Sequence, residues 1–356
     1  MVDVIFWYIL FITRVFIVFN SSSVICEHIN TGKLRTYLVG FDLNQYRYND
    51  LVNVLLDALV DFTFGYHEGI QEDYKRRVLI NAAKSIYSIR AYRKYKEDYI
   101  DKDNELDDED INKDNEYLKR GEFGELILHV LSRDFMKTIP LLSKIYFKDS
   151  DGVTVHGFDL VHIGPDLSGS GDSLYLGESK LYYRKNGNTG KNGVKDLIND
   201  IKQHFDMDFL NREIALISRK DKYKNHEDYI DKNTIDEYKE FIKKKNEWFD
   251  KFSKVQNGQL KMQDFIKSVT VPLLCTYQSK VYENYNDEND SNFIKEYKDE
   301  MNSLYSYLNE ELEKIEVNDG QIDRAKLNII LLLFPIKSKK ELLKKLHEKL
   351  FNQQNS

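Results

Sequence analysis

A chain of 356 residues has room for one large domain or two moderate ones, with a substantial core. Its 41% hydrophobic and 31% charged residues exclude a disordered or fibrous protein. A formal charge of −7, from 52 Lys and Arg against 59 Asp and Glu, excludes a protein that coats nucleic acid by bulk charge. Any such binding needs a local basic surface.

Residues 1–33 form an uncertain apolar N-terminal segment, strongest from Asp3 to Phe19. A spanning helix wants about 20 apolar residues, and Arg14 interrupts this run. A signal peptide wants a basic start, whereas Asp3 is the first charge. The expectation is a buried element or a non-native extension, and no membrane association. Residues 34–110 read as an N-terminal α/β region. It has a short strand over Thr36–Phe41, then an amphipathic helix through Leu51, Val52, Leu55, Leu56, Leu59 and Val60. A further helix is expected over Arg76–Tyr95. Asp101–Glu116 then carries nine acidic residues and two lysines in sixteen positions, the composition of a solvated linker. A domain over residues 111–356 follows it. Cys26 and Cys275 offer neither metal spacing nor a disulfide framework, so free thiols and a cytoplasmic setting are expected.

The second domain opens on Arg120-Gly121-Glu122-Phe123-Gly124-Glu125 and a helix with apolar positions Leu126, Ile127, Val130, Leu131 and Phe135. Periodicity places Glu122 nearer the border of the apolar face and Glu125 opposite its centre, with the phase blurred by the glycines. Val153–Ile163 and Leu174–Tyr182 alternate as strands do, and Gly164–Ser173 between them is turn chemistry. The simplest arrangement is a hairpin. Period two projects Glu178 and Lys180 from one side of their strand. If Asp159 shares that side, two acids and an amine converge. Paired carboxylates repel unless a cation lies between them, and oxygen-only ligands favour Mg²⁺, with Mn²⁺ also suitable. An amine beside such a metal can orient or deprotonate a water, a set of parts suited to phosphodiester hydrolysis. Glu-x-Lys recurs at Glu237 and Glu296, but in charged, helix-like stretches. Only the copy at Glu178 lies on an apolar strand, where charge is costly to bury.

Beyond that strand, Ser179–Lys195 holds Lys180, Arg184, Lys185, Lys191 and Lys195 and no acid. Tyr182 and Tyr183 are interleaved, and Asn186–Gly193 reads as a mobile loop. Such a track could hold a phosphate backbone with a tyrosine for stacking. The next helix has Val194, Leu197, Ile198, Ile201 and Phe205 as its apolar stripe. Glu213–Ser218 fits either a strand or a helix. Strands are expected at Ser268–Tyr277 and Leu327–Phe334, the latter central. Long charged helices are expected at Thr234–Lys254, Asn292–Glu316 and Lys339–Phe351. His156 and His162 sit at odd offsets from Asp159, which assigns them to the opposite face and a structural role. Together these elements predict an α/β fold with a mixed central sheet flanked by helices.

An acid-bearing helix, Asp on a strand, Glu-x-Lys on the next strand and then a helix is the order of the PD-(D/E)xK nuclease superfamily. More narrowly, Arg120–Glu125, Gly157-Phe158-Asp159 and Gly177-Glu178-Ser179-Lys180 resemble the HamA family of Hachiman anti-phage systems, from about Leu34 to the C-terminus. Gly-Phe stands where the superfamily usually has Pro before Asp159. The resemblance implies a restriction-endonuclease-like core, a DNA-cleaving effector and a superfamily 2 helicase partner (HamB-like). It further implies Mg²⁺ held by Asp159, Glu178 and the Ser179 backbone carbonyl. Lys180 would position the attacking water, and Glu122 or Glu125 would bind the ion indirectly or orient a water. The alternative is a catalytically idle nucleic-acid or helicase-binding module of the same fold. RNA as substrate is a further possibility that these residues do not address.

Overall fold

The computed structural model describes residues 21–65, 76–86, 121–142, 157–169, 171–182, 189–205, 207–219, 235–315 and 327–355. Strands β1 (Ile25–Asn30) and β2 (Leu34–Val39) form a hairpin, followed by a small ribbon of β3 (Phe41–Asp42) and β4 (Gln45–Tyr46). Helices α1 (Tyr48–Asp57), α2 (Leu59–Phe64), α3 (Arg76–Ile86) and α4 (Glu122–Met136) come next, then β5 (Ile139–Pro140), β6 (Leu160–Pro165) and β7 (Asp172–Tyr182). Helices α5 (Thr189–His204), α6 (Met207–Arg219), α7 (Ile235–Gln256) and α8 (Met262–Ile266) precede β8 (Val269–Gln278). The chain finishes with α9 (Val281–Asn284), α10 (Ser291–Glu313), β9 (Asn328–Ile336) and α11 (Lys339–Asn355).

Among the described residues, seven strands make one mixed sheet in the order β1-β2-β9-β8-β7-β6-β5. The central four, β2, β9, β8 and β7, are parallel, and the outer pairs are antiparallel. β8 is buried from Val269 to Tyr277 and β9 from Ile330 to Ile336. Their near-continuous apolar runs are what helices on both faces of a parallel sheet demand. β2, from the expected N-terminal region, hydrogen-bonds into this same sheet through β9, and β1, from the expected apolar segment at 1–33, pairs with β2.

Most expected elements occur where the periodicity puts them, with instructive departures. The helix over Leu51–Val60 is broken at Ala58 into α1 and α2. Glu213–Ser218 is helical, within α6. Asp159 lies just before β6 rather than inside a strand starting at Val153. The expected loop over Asn186–Gly193 is already helix from Thr189. Its glycines serve close packing and not mobility. A Cβ on Gly193 would stand 2.5 Å from Cys275 Sγ on β8, and one on Gly190 2.9 Å from the Tyr277 ring. The acidic linker at 101–116, the apolar run at 3–19, His156 and the distal part of the Arg76–Tyr95 helix lie outside the described residues. Among the described residues, no helix is long and apolar enough to cross a membrane.

Candidate active site

The β6–β7 hairpin sets the register from which the site is built. Leu160 pairs with Gly177, and beyond it the Asp159 N–H donates to the Gly177 carbonyl at 2.9 Å. The ladder pairing stops there, and Asp159 lies one residue beyond it. β6 ends here while β7 runs on to Tyr182, so the Ser179 N–H has no strand partner on this edge. The Asp159 carboxylate takes its place. Oδ2 accepts from Ser179 N and from Ser179 Oγ, both at 2.8 Å. In an antiparallel ladder the N–H and C=O of one residue point the same way, so the Ser179 carbonyl shares this edge.

Phe158 explains how Asp159 is held where the resembled motif has a proline. Its side chain is buried and packs 5.3 Å from the Phe205 ring, 5.6 Å from Phe209 and 6.0 Å from His204 (centroid distances). An aromatic anchor buried against the ends of α5 and α6 fixes the neighbouring carboxylate at the end of the ladder.

Alternation along β7 sends Glu178 and Lys180 to one face and Ser179 to the other. Helix α5 covers the first face. There Lys180 Nζ forms an ion pair with Asp200 Oδ2 at 2.6 Å, and His204 Nδ1 lies 2.6 Å from Glu178 Oε1. Helix α4 covers the second face, its Gly124 seated against Ser179 Oγ and the Leu181 side chain. The amphipathic reading of α4 is corrected here. The helix is enclosed, buried continuously from Phe123 to Ser132, and Glu125 is buried among the rest. Glu122, in its first turn, is half-buried, with Oε2 out of reach of water and without a hydrogen-bond partner among the described residues. Both acids therefore stand on the helix that backs Ser179, not on the face that carries Glu178 and Lys180.

Charge in the site is unbalanced. Burial raises the Glu178 carboxyl well above its ordinary range, and the charges of Asp159, Asp200 and Glu213 raise it further against the pull of Lys180. Burial also raises Asp200 despite its lysine partner. For Lys180, burial favours loss of the proton, but the bond to Asp200 and the charges of Asp200, Asp159 and Glu178 prevail, so its pKa is raised and it stays an ammonium. Among the described residues, carboxylates thus outnumber cations around a side chain that is only 3% exposed.

A hard divalent cation fits this surplus and these oxygen donors. Among the described residues no three His, Cys, Asp or Glu side chains converge on one metal position. The candidate donor set is therefore two carboxylates and the Ser179 carbonyl, with water or substrate completing the shell, as Mg²⁺ commonly accepts.

Of the proposed DNA contacts, Arg184 and Lys185 lie outside the described residues. Lys191 is in the first turn of α5, its ammonium 4.5 Å above the Tyr307 ring, and Lys195 is exposed one turn on. His162 is structural, as its offset suggested. It is buried between Thr138 Oγ1 at 2.8 Å and His129 Nδ1 at 3.2 Å. The residues that sequence reasoning missed are Asp200 and His204. One signal was available: they are spaced i, i+4 on a helix, flanking the apolar stripe that packs on the sheet.

In comparisons with known proteins, the HamA family model matches residues 14–350, reaching further upstream than the resemblance carried by the motifs. Comparison with curated proteins gives no match.

Proposed function

This chain belongs to the HamA family, associated with Hachiman anti-phage defence, and on that footing we propose that it is a Mg²⁺-dependent DNA endonuclease, the effector that works beside a helicase partner. The observation that supports the reading is the Asp159 carboxylate bonded to Ser179, the residue between Glu178 and Lys180, which share one face of β7.

Asp159, Glu178 and the Ser179 carbonyl would hold the ion, with Mn²⁺ able to replace Mg²⁺. When bound, the ion would supply Lewis-acid activation of the phosphoryl oxygen and of a water. Lys180, kept as an ammonium by its acidic neighbours, offsets charge developing on the phosphate and orients the attacking water, rather than removing its proton. Enclosure by α5 excludes bulk solvent from Glu178 and strengthens these interactions. Lys191 and Lys195 on α5, with Arg184 and Lys185 before it, would carry the phosphate backbone towards the site.

Cleavage of plasmid and linear DNA by the purified chain tests this. Activity should need Mg²⁺ or Mn²⁺ and vanish with chelator. Glu178→Ala and Lys180→Ala should each reduce cleavage by at least about 100-fold while DNA affinity stays within about two-fold. Binding without cleavage in the unaltered chain would favour the idle-module reading, and preference for RNA would change the substrate.

A further inference from the structure

Glu178 and Lys180 stand two residues apart on one face of β7, close enough to attract each other and collapse into a pair. A Glu178–Lys180 pair would deprive an ion of its ligand and the phosphate of its ammonium. The structure holds them otherwise, each bonded to its own group on α5: Lys180 to Asp200 and Glu178 to His204, both at 2.6 Å. The two groups are one helical turn apart, matching the spacing of their partners along the strand.

These α5 side chains are themselves held in place. Asp200 has a side-chain exposure of 16% and His204 of 20%. The His204 ring stacks on Phe209, with centroids 4.6 Å apart and planes at 10°, and meets Phe158 edge-on. At the other end α5 is pressed onto β8 through Gly190 and Gly193. A helix fixed at both ends presents its acid and its imidazole at set positions. That is the requirement for groups that orient metal ligands rather than serve as ligands.

We propose that Asp200 and His204 are positioning residues that keep Lys180 and Glu178 apart. Asp200 retains the ammonium, and His204 Nδ1 binds Glu178 Oε1, leaving Oε2 for a divalent ion. This inference rests on the nuclease reading and assigns α5 a role in it. Its further content is that removing either α5 group weakens metal binding, although neither touches the metal.

Calorimetric titration of the full chain with Mn²⁺, alongside DNA cleavage, tests it. Asp200→Ala frees Lys180 to pair with Glu178, and His204→Ala frees Glu178 to turn towards Lys180. Each should weaken Mn²⁺ affinity and cleavage about 10- to 100-fold, with Glu178→Ala as the non-binding reference. Asp200→Glu retains the acid, and His204→Asn retains a donor near the position of Nδ1. Both should recover most of the affinity and keep the melting temperature of the unaltered protein. Alanine variants that bind Mn²⁺ as tightly as the unaltered chain would overturn the inference alone. So would weakening that neither conservative variant relieves, which would indicate general damage to α5. An unaltered chain that neither binds Mn²⁺ nor cleaves DNA would remove the nuclease reading, and this inference with it.

Discussion

At Phe158 and Asp159 the sequence departs from the motif it resembles and the structure supplies the compensation. A buried aromatic ring wedged against Phe205, Phe209 and His204 does the positioning that a proline's fixed backbone would otherwise do. Phe158→Ala should therefore destabilise the protein by about 3–5 kcal/mol, read from urea denaturation. It should also lower cleavage beyond what Phe158→Leu does, because Asp159 loses its neighbour's anchor. The shared face of Glu178 and Lys180 was legible from period-two alternation alone. The placement of Glu122 and Glu125 was not, because the pattern assumed a helix with one solvated side and α4 has none. The bonds from Asp200 and His204 to β7 join groups 20 and 26 residues apart in the chain, a distance over which local pattern carries no information.

At the level of elements, α5 is the part whose identity changed most. Residues that read as a glycine-rich loop form its first turn, because Gly190 and Gly193 let the helix lie directly on Tyr277 and Cys275. Glycine is a turn signal when nothing presses on it and a packing signal when something does, and one sequence does not distinguish the two. Gly193→Ala would place a methyl 2.5 Å from Cys275 Sγ. The expected cost is about 1–3 kcal/mol of stability from overpacking. Cleavage should fall too, since displacing α5 moves Asp200 and His204. Pairing it with Cys275→Ala should restore much of the loss, measurable by denaturation midpoints. By contrast β8 and β9 were plain in the sequence, since continuous apolar runs of this length fit the middle of a sheet and little else.

Across the whole molecule, a buried polar chain ties the N-terminal helices to the hairpin that carries the site. Asp61 on α2 accepts from Arg133 on α4 at 3.0 and 3.1 Å and bonds His129, which meets His162 on β6. Burial would raise the Asp61 carboxyl, but Arg133 and His129 override it and hold its pKa far below the usual range. A depressed acid stabilises the fold above its unfolded pKa of about 3.9 and loses that contribution as pH falls below it. Asp61→Asn should then be clearly less stable than the unaltered chain at pH 6. The gap in urea midpoint should narrow below about pH 4. Arg133→Ala, which strands a buried carboxylate, should cost about 3–5 kcal/mol at neutral pH. None of this chain was visible beforehand except the sidedness of His162, because its members come from three separate elements.

The metal position itself is open to a direct view. Crystals of the full chain soaked in Mn²⁺ should give an anomalous peak about 2.1 Å from an oxygen of Asp159, from Glu178 Oε2 and from the Ser179 carbonyl. His204 should remain on Glu178 Oε1 and Lys180 on Asp200. A peak elsewhere, or none at saturating Mn²⁺ with Glu178 still bound to His204, would contradict the assignment of this hairpin as a metal-dependent nuclease site.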